Sequence, residues 1–182
     1  MIVEFIGVPG AGKTTLMPIV SAYFKEQRYQ AYSVLEAARP FAARTLPGRI
    51  IRRSVRGKLE RLLLWQLFYA LSYTHRLSFY RQHQDLMKSV LAYQKERPLS
   101  KTDRAHVQHW FLHQTGSYQF LKTYGQAGDV LIFDEGFIHR VVQLFASESE
   151  RPNLVRVAVY LVKTPKPDLV IYPNVPCEVC EK

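Results

Sequence analysis

Cysteine occurs only twice in this 182-residue chain, as Cys177 and Cys180. A structural zinc site ordinarily takes four ligands, so a single C-x-x-C does not make one. Pro176 before Cys177 gives the look of a redox pair at a helix start, but the surrounding pattern is wrong for that fold. Long hydrophobic runs are missing as well. The strongest, 62–73, is interrupted by Gln66 and falls short of the about 20 residues that a membrane-crossing helix needs. No basic segment leads into an apolar stretch at the N-terminus, so no secretory leader is expected and the expected location is cytoplasmic. Repeats and low-complexity segments are not visible. Acidic residues are scarce, 15 against 25 Lys and Arg, which leaves a formal net charge of +10. That excess favours anionic partners: nucleotides, phosphorylated compounds, nucleic acid or acidic lipid. With 47% hydrophobic residues, 1–182 is expected to form one domain with a substantial core.

What the chain does have is concentrated at its start. Ile2, Val3, Phe5 and Ile6 make a short apolar run suited to a buried strand. Gly7-Val8-Pro9-Gly10-Ala11-Gly12-Lys13-Thr14 follows and matches G-x-x-x-x-G-K-[ST] at every fixed position. A phosphate chain must be wrapped closely by backbone. Gly7, Gly10 and Gly12 permit dihedrals that a side chain forbids, so successive N–H groups can converge on an anion at a helix start. Lys13 is expected to reach the β- and γ-phosphates and the Thr14 hydroxyl to face Mg²⁺. Pro9, Ala11 and Thr15 complete the stretch expected to hold ATP.

A helix is expected over 12–28, since Leu16, Ile19, Val20, Tyr23 and Phe24 recur at helical spacing, with a kink where Pro18 deletes the bond to the Thr14 carbonyl. The stretch 31–37 reads as a second strand, with Glu36 and Arg39 at its end. From Pro47 to Gly125 a mainly helical insertion is expected. Arg49, Arg52, Arg53, Arg56, Lys58 and Arg61 accumulate at its start with only Glu60 opposing them. Such a run is usually a solvated helix face, but it also fits nucleic acid, lipid or a phosphorylated compound. A helix is expected over 76–96, ended by Pro98. Another starts at an Asp103 N-cap and stops at Gly125. His106, His109 and His113 share that helix without an adjacent carboxylate, a pattern that fits a polar helix face better than a metal site.

Val130-Leu131-Ile132-Phe133 is an apolar run ending in Asp134 and Glu135. A buried strand that delivers carboxylates to the same sheet edge as a phosphate loop completes a phosphoryl-transfer site. Asp134 is assigned to Mg²⁺ together with Thr14, and Glu135 to a substrate proton. A helix is expected over 137–146. Arg140, in its first turn beside His139, is the candidate for neutralising charge during transfer. A further helix over 151–163 and a fourth strand over 168–172 close the reading.

The chain resembles P-loop kinases of the nucleoside monophosphate kinase class, nearest the thymidylate kinase and deoxynucleoside kinase branch. The resemblance rests on GVPGAGKTT (7–15), LIFDEG (131–136) and PKPDLVIYPNVPCEV (165–179). It implies a three-layer α/β/α P-loop NTPase fold with a parallel sheet in the order 2-3-1-4, helices on both sides and an insertion after the second strand. It also implies ATP and Mg²⁺ as ligands, Lys13 on the donor phosphates, Thr14 on the metal, and Asp134 or Glu135 assisting catalysis. Such kinases continue with an arginine-bearing lid and a fifth strand. This sequence ends where the lid is expected, so a fold lacking both is expected: either the chain is a truncated product or the basic insertion supplies the arginines. The leading functional expectation is a small-molecule kinase with a nucleoside-like, hydroxyl or phosphate acceptor. A nucleotide-binding regulator with little kinase activity and a nucleic-acid-binding ATPase are the alternatives. No Asn-Lys-x-Asp guanine motif is present.

Overall fold

Ile2–Phe5 form β1, the inner strand on which the other parts converge. The computed structural model describes residues 1–97, 99–145 and 153–176. In chain order the elements after β1 are α1 (Lys13–Glu26), β2 (Gln30–Ser33), α2 (Val34–Arg44), α3 (Leu46–Ser54), α4 (Gly57–Gln82) and α5 (Gln84–Glu96). Then come α6 (Lys101–Tyr124), β3 (Asp129–Phe133), α7 (Arg140–Phe145), α8 (Leu154–Lys163) and β4 (Leu169–Ile171). The strands form one all-parallel sheet in the order 2-3-1-4, as the resemblance implies.

Alternation along the strands builds two cores. Val3 and Phe5 of β1 with Val130 and Ile132 of β3 pack against Leu16, Met17 and Val20 of α1. Ile2, Leu131 and Phe133 point the other way, into a larger cluster with α2, α4, α5, α6, α7 and α8. Strands buried on both faces read as continuous apolar runs, which is why β1 and β3 stand out in the sequence and the exposed edge strand β4 stands out less.

Several boundaries differ from the sequence expectation. The second strand ends at Ser33, not at residue 37, because Ser33 and Glu36 form a reciprocal capping box that starts α2. The helical insertion therefore begins at Val34 rather than Pro47. The helix expected over 76–96 is two elements meeting at His83, of which α4 begins as early as Gly57. Ser100, not Asp103, caps α6; its hydroxyl accepts the Asp103 amide at 3.0 Å. Gly125 ends α6 in an extended conformation rather than a left-handed one. The helix after β3 starts at Arg140, three residues later than expected, the helix expected over 151–163 starts at Leu154, and β4 is confined to Leu169–Ile171. Helix α1 continues through Pro18 without interruption. Pro98, Ala146, Arg151, Cys177, Val179 and Cys180 lie outside the described residues.

Candidate active site

The register between β1 and β3 pairs Glu4 with Phe133. The segments that leave the two strands, Ile6 onward and Asp134 onward, therefore start side by side at the carboxyl edge of the sheet. In parallel sheets this edge is where ligands bind. The glycine loop and the acidic pair are thus brought together, though more than a hundred residues separate them in sequence.

The loop has the backbone that its glycines permit. Gly7, Gly10 and Gly12 all have positive φ, at 138°, 79° and 75°. Gly12 is the left-handed N-cap of α1, so the helix opens with Lys13, Thr14 and Thr15 in its first turn and no acidic residue among them. The amides of Gly10, Gly12, Lys13 and Thr14 have no partner among the described residues. Four open donors at a helix start fit a phosphate chain. The Lys13 ammonium folds back over the loop, with Nζ donating to the carbonyls of Gly7 at 2.7 Å and Val8 at 2.9 Å. Pro9, Gly10, Thr14 and Thr15 are exposed, whereas Ala11 is buried.

Across from the loop, Asp134 is exposed, and its Oδ1 accepts the Glu135 amide at 3.0 Å. Glu135 is half exposed and is held by Arg140, whose Nη2 lies 3.2 Å from Glu135 Oε2. Arg140 itself is buried. Its Nε donates to Gln114 Oε1 at 2.8 Å and its Nη1 to Gln143 Oε1. Gln114 Nε2 in turn donates to the Glu135 carbonyl at 3.0 Å. Arg140 therefore has a protein partner on each guanidinium nitrogen, a set of contacts that fixes the Glu135 carboxylate. His139 is half-buried, with its Nε2 3.9 Å from Glu135 Oε1. Burial pushes its imidazole below the ordinary histidine range, with Lys13 and Arg140 adding to the shift and Glu135 and Asp134 opposing it.

Two clefts adjoin these groups. One, of about 490 Å³, runs from Thr14 between α1 and the start of α2, past Lys25, Ser33 and Glu36. The other, of about 370 Å³, lies beside Glu135 and Arg140 and is walled by Trp110 and His106 of α6. Trp110 Nε1 donates to His106 Nε2 at 2.9 Å. Glu36 serves the α2 capping box, and the Ser33 amide foremost holds its carboxyl below the usual range. Among the described residues no group of three or more His, Cys, Asp or Glu side chains is arranged to hold a metal ion. Thr14 and Asp134, both exposed at the same sheet edge, are oxygen donors of the kind a hard cation such as Mg²⁺ takes.

Glu4 is the site residue that motif reading passes over. It lies in β1, 3% exposed, and its Oε1 accepts the His139 amide at 2.8 Å. Burial foremost raises its pKa from 4.5 to about 7, against the pull of the amides of His139, Ile138 and Phe137 and the Arg140 charge. A carboxylate inside an otherwise apolar inner strand is the signal that could have marked it. Gln114, Gln143 and Trp110 carried no such signal, because only the packing of α6 against α7 brings them to Glu135.

No protein-family model matches the chain, and no curated protein is significantly similar to it.

Proposed function

We propose that this chain is an ATP- and Mg²⁺-dependent phosphotransferase of the P-loop kinase type, acting on a small acceptor. One observation carries the reading. A glycine loop with four unpartnered amides and an acidic pair leave adjacent parallel strands at one sheet edge. Positioning and charge stabilisation are most of what phosphoryl transfer asks of a protein. The loop amides and Lys13 bind the donor phosphates, and Lys13 exchanges the Gly7 and Val8 carbonyls for them. Thr14 and Asp134 would hold Mg²⁺, which would supply charge neutralisation at the phosphates. Glu135, oriented by Arg140 and Gln114, takes the proton from an acceptor lodged in the Trp110 cleft.

A regulatory nucleotide-binding role is the second reading. It is favoured by Arg140, whose guanidinium nitrogens are committed to Gln114, Gln143 and Glu135 rather than aimed at the loop. Incubation with γ-labelled ATP and Mg²⁺ against a panel of hydroxyl and phosphate acceptors separates the two. Label transfer to an acceptor supports the kinase. ATP binding with no transfer to any acceptor supports the regulator, and absence of nucleotide binding overturns both.

A further inference from the structure

On the helical insertion, far in sequence from the loop and the acidic pair, α3 and the start of α4 carry an unusual surface. At about 100° per residue, Leu46, Arg49, Ile50 and Arg53 fall on one face of α3. Gly48 and Ile51 face the opposite way, onto α2 and the core. Leu46 is 70% exposed and Ile50 58% exposed. The outer face of α4 continues the pattern with Leu59, Leu62, Tyr69, Tyr73, Leu77 and Tyr80, opposite the buried Leu64, Phe68 and Phe79. This stripe is about 32 Å long by helical rise. Six cations, Arg49, Arg52, Arg53, Arg56, Lys58 and Arg61, crowd its first end against the single acid Glu60. Among the described residues the one ion pair in that cluster is a loose contact of Arg52 with Glu60 at 3.9 Å. A crevice of about 370 Å³ opens on the same side, where Arg39 and Arg61 flank an apolar floor of Leu35, Leu62 and Trp65.

We infer that this face docks the protein onto an anionic membrane surface. The arrangement of exposed leucine, isoleucine and tyrosine flanked by arginine is that of a helix lying in a lipid interface. Apolar side chains enter the acyl boundary there, and cations meet acidic headgroups. The Arg39–Arg61 crevice takes one phospholipid headgroup phosphate, with its apolar floor against the first methylenes. Charge complementarity selects this occupant. A second copy of a chain with net charge +10 is repelled by the same arginines, and a neutral partner leaves them unused. The docking is peripheral, because no described helix is long and apolar enough to cross a membrane. It does not depend on the phosphotransferase reading.

Vesicle sedimentation tests it. The full chain is mixed with vesicles of phosphatidylcholine alone, or of phosphatidylcholine with phosphatidylglycerol, at low and physiological salt. Binding to the anionic vesicles alone is expected, and it weakens as salt rises. Each basic residue near such a surface strengthens attachment about fivefold. Arg49→Glu with Arg53→Glu is therefore expected to weaken binding by at least about tenfold. Leu46→Ser with Ile50→Ser, which leaves the charge intact, is expected to weaken it several-fold. All four side chains are exposed, so thermal melts of both variants are expected to match the parent. Equal binding to both vesicle types overturns the inference, as does no binding or binding that either variant leaves unchanged. Retention of a DNA duplex through the same arginines without vesicle binding also overturns it, in favour of a nucleic-acid face.

Discussion

The carboxylate of Glu4, buried in β1, accepts the backbone amide of His139 at 2.8 Å. The strand that launches the glycine loop thereby holds the segment that follows the acidic pair. The same carboxylate has its pKa raised from 4.5 to about 7, chiefly by burial. A native state that keeps this proton longer than the unfolded chain does is most stable at low pH with respect to this group. The contribution is complete below about pH 4.5 and is lost as pH rises through about 7, a change on the order of 3 kcal/mol. His83, His113 and His139, each lowered first by burial, act in the opposite sense: their contributions are complete above 6.5 and are lost as pH falls. Glu4→Gln should therefore remove only the first effect. Urea melts of both proteins between about pH 5 and pH 8 should show the variant gaining stability relative to the parent as pH rises. A difference that does not vary with pH would contradict the role given to Glu4.

Gly136 is the partner that makes room for this carboxylate. A Cβ at that position would lie 2.2 Å from Glu4 Cδ and 2.3 Å from its Oε2. Glu4 is buried and bonded, so it cannot swing aside freely. Gly136→Ala is expected to destabilise the fold by about 1–3 kcal/mol. Combining it with Glu4→Ala should recover much of that loss. Chemical denaturation of the single and double variants checks the coupling.

Arg140 links α7 to Glu135 and to Gln114 of α6. Arg140→Ala leaves those polar groups without their partner, and the expected loss is about 1–3 kcal/mol, restrained because Glu135 is half exposed. Phosphate transfer is expected to fall further than folding stability explains, because Glu135 is no longer held. Gln114→Ala, which removes a different support of the same group, is expected to lower turnover in the same direction. Thermal melts alongside turnover separate the two effects.

The acids should divide their work. Asp134→Asn is expected to raise the Mg²⁺ concentration needed for half-maximal activity. Glu135→Gln is expected to lower kcat while leaving ATP affinity close to that of the parent, as befits a group that acts in the transition state. Magnesium titrations and steady-state kinetics on both variants provide the check. Full activity of Glu135→Gln would remove it from the role of base.

The parts of this molecule legible in its sequence are those fixed by local chemistry. Positive φ at Gly7, Gly10 and Gly12 follows from a motif that needs it, and β1 and β3 follow from apolar runs buried on both sides. The Ser33–Glu36 capping box was also present as S-x-x-E, but the alternating pattern of 31–37 reads equally well as strand, and the box decides for helix. The Glu135 anchorage was not legible. Gln114 and Arg140 are 26 residues apart and meet only through packing, and no spacing rule encodes such a contact. Glu4 lay between, visible as a charge in an apolar run but without a motif to give it a role.

Calorimetric titration of the protein and its Lys13→Ala variant with ATP in the presence of Mg²⁺ decides whether the glycine loop is a nucleotide site. Lys13 bonds only the carbonyls of its own loop and supports no core contact, so the variant is expected to fold like the parent. Saturable ATP binding is expected of the parent and a loss of at least about tenfold in the variant, since a hydrogen bond to a charged group is worth about 1.5–3 kcal/mol. Equal affinities in the two proteins, or no binding by either, would contradict that role for the loop.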